Sequence, residues 1–189
     1  MDLDRSRRQL GDTRMSSCIP TVLAPLLLIL SGGESLGADF TVQVSASDGT
    51  EHRIEYRDTT SHFHVVLTNT SAQPLKIFSD SNSWGYDTLS FRLRDGRRTF
   101  EAKKPPAIFT RNIPQTITIG AGQAHVVDVY FGDPKKWLGF ELPANGEKQM
   151  ELCADFSVKA SEEALAQNVW VGRVSSECLV FTFVRWRQD

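Results

Sequence analysis

The chain has 189 residues, 40% of them hydrophobic, and a formal net charge of −2. These ordinary values and the absence of a low-complexity tract predict one globular domain of near-average size. The near-neutral charge argues against nucleic acid as a main partner.

The first 37 residues have the order of an export signal. Four arginines precede an apolar run from Ile19 to Leu30, and small residues follow at 31–38. The run is too short to span a membrane, which takes roughly 20 apolar residues. We therefore predict a signal peptide at 1–37 and an exported domain at 38–189, periplasmic or secreted, without a membrane span. Arg7-Arg8 resembles part of a twin-arginine motif, so the export route stays open.

Apolar residues alternate with polar ones through most of the exported domain, which is typical of half-buried strands. Phe40, Val42 and Val44 predict one strand, and Ile54 with Tyr56 a short second one. The segment from Phe63 to Phe78 contains two alternating runs around Asn69-Thr70-Ser71-Ala72-Gln73-Pro74, which predicts a strand, a corner and a strand.

Two glycine-containing segments predict β-hairpins. Asp95-Gly96 lies between the strands Leu89 to Arg94 and Arg97 to Phe100, and this dipeptide favours a two-residue turn. The segment from Gly120 to Gln123 lies between two further alternating runs, 115–119 and 124–131. A last pair of strands is predicted at 148–158 and 169–186, with a short helix capped by Ser161 between them.

Cys153 and Cys178 are the two cysteines of the predicted exported domain. If their strands pair antiparallel with Cys153 opposite Cys178, then Leu152 meets Leu179 and the apolar faces coincide. An oxidising compartment favours pairing of two such thiols. We therefore predict a Cys153–Cys178 disulfide.

About eight or nine short strands separated by turns predict an all-β fold, namely an antiparallel immunoglobulin-like β-sandwich. Asn69-Thr70-Ser71, Gly120-Ala121-Gly122 and the segment 170–175 (WVGRVS) resemble exported bacterial immunoglobulin-like domains of unassigned role. Asn69-Thr70-Ser71, Tyr86-Asp87 and Asp95-Gly96 also resemble the bacterial intracellular proteinase inhibitor family. The second resemblance implies a loop that enters a protease active site.

The sequence has no nucleophile elbow, no phosphate-binding loop before a helix and no His-Glu-x-x-His motif. We therefore predict a protein that is not an enzyme and needs no cofactor. His62 and His64 share one strand face, where two imidazoles could bind a metal with His52 or His125 as a third ligand. The alternative, which we prefer, is a pair of polar histidines on an exposed strand without a metal.

The candidate binding residues lie in a loop and in the first hairpin. Residues 79–87 form a polar, glycine-containing segment with Trp84, Tyr86 and Asp87, as in recognition loops. Alternatively, Trp84 folds back onto the core. Arg94 and Arg97 would face each other across an Asp95-Gly96 turn, a like-charge pair that requires a carboxylate or a bound anion; the alternative is an edge hairpin protected by charge.

These features predict a non-enzymatic exported binding or structural module. Its partner would be an envelope or extracellular protein or polysaccharide, recognised through the end loops and chiefly through residues 79–87. The alternative function is a proteinase inhibitor that presents a loop of the same fold.

Overall fold

The computed structural model describes residues 39–46, 52–56, 62–133 and 135–185, and the predicted signal peptide lies outside them. About half of this part of the chain is β-strand and almost none is helix, so the all-β prediction is confirmed. It has eleven strands rather than eight or nine, and one short helix. They are β1 (Phe40–Ala46), β2 (Arg53–Glu55), β3 (Phe63–Asn69), β4 (Leu75–Phe78), β5 (Leu89–Asp95), β6 (Arg98–Ala102), β7 (Thr116–Ile119), β8 (Ala124–Val129), β9 (Gly146–Val158), α1 (Glu162–Ala166), β10 (Gly172–Ser175) and β11 (Leu179–Arg185).

The strands form three hydrogen-bonded sheets. One has the order β1-β3-β8, a second has the order β2-β11-β9-β5-β6 with β10 also paired to β9, and β4 pairs with β7. The prediction that all pairs are antiparallel is wrong at one edge, where β2 runs parallel to β11. Within the described ranges, no helix has the length and apolar character needed to cross a membrane.

A core of aromatic and aliphatic side chains joins the first two sheets. Phe63 on β3 packs edge-on against Phe91 on β5, with ring centroids 5.6 Å apart. Phe40 on β1 meets Phe156 on β9 and the Trp170 ring, at 6.5 and 5.2 Å. The alternating apolar faces predicted for β1 and β3 are therefore the faces that line this core.

Asn69 forms the corner at which the chain leaves β3. Its side chain is fully buried, and Nδ2 donates to the carbonyls of Gln73 and Ile119 at 2.8 and 2.9 Å. Oδ1 accepts from both the backbone N–H and the hydroxyl of Ser71. The predicted corner is therefore present, and it directs the chain into β4 of another sheet.

The segment from Gly120 to Gln123 is a turn, but the predicted hairpin around it is wrong. The Gln123 N–H donates to the Gly120 carbonyl at 3.0 Å, yet β7 pairs with β4 and β8 pairs with β3. Backbone hydrogen bonds join Asn69 to Gly122 and to Gln123. This turn therefore leads the chain from one sheet to another, as the corner at Asn69 also does. The turn lies against that corner.

The hairpin between β5 and β6 exists, but its turn is shifted by one residue. Asp95 pairs with Arg98 and Arg94 with Thr99, so the turn residues are Gly96 and Arg97. Gly96 takes a φ of +57°, which glycine adopts without strain. Asp95 stays in the strand because its carboxylate accepts hydrogen bonds from Lys148 and Arg98.

The predicted last strand is divided into β10 and β11, which pair with successive parts of β9. Three residues, 176–178, lie opposite two residues of β9, which is the arrangement of a β-bulge. The buried Ser176 fills the gap, since its N–H donates to the Ala154 carbonyl and its hydroxyl accepts from the Ala154 N–H, both at 2.8 Å. The predicted helix and its Ser161 cap are confirmed.

Cys153 and Cys178 form the predicted disulfide beside this bulge, with Cα atoms 4.4 Å apart. The predicted register is also confirmed, because Leu152 pairs with Leu179 and Met150 with Phe181. Cys153 is 4% exposed, although it lies on the face of β9 opposite to the apolar core residues.

Replacing Asn69 by alanine should lower the free energy of unfolding by about 2–4 kcal/mol, because buried carbonyl and N–H groups lose their partners. Urea denaturation of the purified domain measures this loss. Gln73→Ala is the matched control: the change keeps the carbonyl that Asn69 contacts, and it should shift stability by less than about 0.5 kcal/mol. Equal stability of the two variants would contradict the role assigned to Asn69.

Replacing Cys153 and Cys178 together by alanine should cost about 3 kcal/mol of stability, since the disulfide restricts the unfolded chain. Denaturation of the oxidised protein and of the double variant measures the difference. Mass spectrometry of unreduced protein provides the independent check, and two alkylatable thiols would contradict the bond.

Candidate functional site

The loop that precedes β5 is held in shape from within by Asn82. This side chain is 1% exposed, and its Oδ1 accepts from the N–H groups of Trp84 and Gly85, both at 3.1 Å. Its Nδ2 donates to the Gln115 carbonyl at 3.0 Å. A Cβ at Gly85 would lie 2.1 Å from the Ser79 carbonyl oxygen, so only glycine fits there. The loop therefore has one defined conformation.

The two aromatic residues of the loop are placed differently. Trp84 is half-buried and packs against the core, with its ring 6.1 Å from that of Phe78. Tyr86 instead contacts Phe109 with a centroid distance of 5.4 Å, and the Lys104 ammonium lies 4.8 Å from its ring centre. The geometry thus favours the packing alternative for Trp84 and leaves Tyr86 as the aromatic residue at the surface site.

Tyr86 and Asp87 line an open groove of about 560 Å³. Phe109, Pro105 and Pro106 supply apolar surface on one side. Polar and charged side chains line the remainder; they are Ser83, Ser90, Glu101, Lys103, Lys104, Asp155, Ser157, Lys159 and Arg173. The groove combines an aromatic surface, hydrogen-bonding groups and charges of both signs, a set suited to binding a polar ligand.

A buried carboxylate forms the floor of this groove. Asp155 on β9 is 4% exposed and accepts hydrogen bonds from Arg92 at 2.7 Å, from Arg173 at 3.3 Å and from the Ser175 hydroxyl. Burial raises the pKa of Asp155, but the hydrogen bonds from Arg92 and Ser175 and the Arg92 charge outweigh it, so the pKa is lowered overall. Asp155 therefore stays ionised at neutral pH and holds both arginines in place.

Arg94 and Arg97 do not line the groove and do not face each other. Arg94 forms an ion pair with Glu151, and Arg97 is an exposed residue of the Gly96-Arg97 turn. The prediction that they form a like-charge pair is wrong because of the one-residue shift of the turn. The carboxylate of Glu151 supplies the partner that we expected Arg94 to need.

His62 and His64 lie side by side, as predicted, with ring centroids 5.0 Å apart. The expected third group is different: Asp128 on β8 accompanies them rather than His52 or His125. His125 lies on the same face of β8 as Val127, and this face is opposite to that of Asp128. Burial lowers the pKa of His125. His52 contacts Phe181 of the other sheet.

Several groove residues were missed by the sequence-based prediction. Phe109 and Lys104 follow β6, and Asp155 and Arg173 belong to β9 and β10, far from residues 79–87 along the chain. The pairing of β5 with β6 and β9, and of β9 with β10, brings these parts of the chain together. The one available signal was Asp155 itself, a charged residue between the apolar residues Ala154 and Phe156.

Comparison with protein-family models and with curated protein sequences gives no match. Among solved structures, the chain is similar to the E. coli chaperone DraB, with 16% sequence identity and a TM-score of 0.33. The similarity covers 78% of this chain and 55% of the DraB chain, so this chain spans about half the length of that structure. A TM-score this low carries no argument about fold or function.

Replacing Asp155 by asparagine should lower the free energy of unfolding by about 1–3 kcal/mol at pH 7, because charge-assisted hydrogen bonds are lost in a buried position. The pKa of Asp155 is lower in the folded state, so its contribution is complete above the unfolded value, about 3.9, and disappears as the pH falls through the folded value. The difference in the free energy of unfolding between wild type and variant should therefore become smaller below about pH 4.

Urea denaturation at neutral and acidic pH measures this difference. Glu151→Gln, which removes the partner of the exposed Arg94, is the matched control and should cost less than about 1 kcal/mol. A difference that stays constant down to pH 2 would contradict the ionised state of Asp155.

Proposed function

We propose that the protein is an exported, non-enzymatic binding module with an immunoglobulin-like β-sandwich fold. It recognises a protein or polysaccharide of the cell envelope through the groove beside residues 79–87. The observation that carries this proposal is the open groove itself, with Tyr86 and Asp87 beside a fixed ionic floor.

Internal contacts hold the groove residues in place. Asn82 fixes the loop, and Asp155 holds Arg92 and Arg173. Lys104 contacts the Tyr86 ring and lies 3.5 Å from the Asp80 carboxylate. A surface that is already ordered loses little conformational entropy on binding, which supports a role in recognition.

Residue types in the groove suit a polar, extended ligand. Tyrosine provides a large contact area at a low entropy cost, and the serine residues of the groove, Ser83, Ser90 and Ser157, provide hydroxyl groups for hydrogen bonds. A tyrosine ring can also stack against the apolar face of a sugar. Asp87 and Lys159 at the groove can pair with charged groups of a peptide or a glycan.

The shape of the site favours this function over proteinase inhibition. An inhibitor must present a protruding segment to the active-site cleft of a protease. Here the candidate residues line a concave surface, and Trp84, the largest side chain of the loop, packs inward. A panel of proteases nevertheless tests the inhibitor alternative directly.

A Tyr86→Ala, Asp87→Ala double variant should lose ligand binding while it keeps its fold. Truncation of an aromatic anchor costs about 2 kcal/mol or more, which is about thirtyfold in the dissociation constant. Envelope extract and an array of envelope polysaccharides identify the ligand, and calorimetry then measures its affinity for each variant.

Arg97→Ala is the control for this experiment, because Arg97 is exposed and lies outside the groove. Trp84→Ala is expected to lower stability and is therefore measured separately. Unchanged affinity of the double variant, or inhibition of a protease by the wild-type protein, would overturn the proposal.

A further inference from the structure

Two imidazoles and a carboxylate meet on the outer face of the sheet formed by β1, β3 and β8. His64 lies on β3, and His62 directly precedes this strand and is two residues away, so both side chains point to the same side. Asp128 is the direct cross-strand partner of His64 on β8. One potential ligand atom from each of the three residues lies within 4.8 Å of the other two.

The distances within this cluster fit ligands of one ion. His64 Nδ1 and Asp128 Oδ1 are 2.9 Å apart. Two ligands of a tetrahedral ion with bonds of about 2.0–2.1 Å are separated by about 3.3 Å, so this pair needs little movement. His62 has to turn slightly toward the other two; its ring is partly exposed and lies beside that of Tyr130, with centroids 5.3 Å apart.

The chemistry of the three ligands selects the class of metal. Imidazole nitrogen with one carboxylate oxygen suits Zn²⁺ and its neighbours among the transition metals, whereas Mg²⁺ and Ca²⁺ prefer oxygen ligands alone. Three protein ligands leave a fourth tetrahedral position for water. Another cluster, Glu151 with Cys153 and Cys178, does not compete, because its two sulfur atoms are bonded to each other.

We propose that His62, His64 and Asp128 bind one zinc-class divalent ion, which links β3 to β8 on the surface of the sheet. This inference does not rest on the binding function proposed above, because the cluster lies outside the groove. It also departs from the sequence-based expectation of two histidines without a metal. The new observation is Asp128, which supplies the third ligand from a different strand.

Titration of the untagged, disulfide-intact protein with Zn²⁺ tests the site by calorimetry, and Co²⁺ provides a visible absorption spectrum that reports the ligands. We expect one ion per chain and no saturable binding of Mg²⁺. His62→Ala, His64→Ala and Asp128→Asn should each weaken zinc binding by at least about tenfold, since even groups that only support a metal ligand are worth about 10- to 100-fold.

His125→Ala is the matched control, because His125 lies on the same strand as Asp128 but faces the other side. It should bind zinc like the wild type. Circular dichroism shows whether each variant is folded. Zinc should raise the melting temperature of the wild type and of His125→Ala but not that of the three ligand variants, which separates loss of the site from loss of the fold. Absence of saturable zinc binding, or undiminished binding by a His62→Ala, His64→Ala double variant, would overturn the proposal.

Discussion

The arrangement of the sheets depends on the hydrogen bonds of one buried side chain, Asn69. Its amide reaches the end of β7 and the segment that leads into β4, while its backbone is bonded to Gly122 and Gln123. Both crossings between sheets are therefore fixed at one residue. Because an unsatisfied amide in the interior is costly, the two crossings stabilise each other and the sheets keep one relative arrangement.

The candidate groove follows from this arrangement through the central strand β9. One part of β9 pairs with both β5 and β10, which brings Arg92 and Arg173 to the two sides of Asp155. The loop that carries Tyr86 leads into β5, so its position depends on the same pairing. A buried carboxylate is expensive to desolvate, and here Asp155 offsets this cost by accepting hydrogen bonds from Arg92 and Arg173.

Local patterns predicted the strands well and the contacts between distant strands poorly. Alternation identified the core faces of β1 and β3, and strand parity identified the disulfide and its register, because both depend on a period of two along the chain. The turn at Gly96 shifted by one residue because Lys148, which is remote in sequence, keeps Asp95 in its strand. The bulge at 176–178, the separation of β7 from β8 and the approach of Asp128 to His64 also depend on partners that no local pattern reveals.

The disulfide beside the bulge also discriminates between correct and incorrect strand register during folding. A strand that slips by one residue turns every side chain to the opposite face of the sheet. In such a chain Cys178 would point away from Cys153, and the bond could not close. Oxidation is therefore a test of correct pairing between β9 and β11: native molecules become covalently locked, whereas misregistered ones keep reactive thiols and remain free to rearrange.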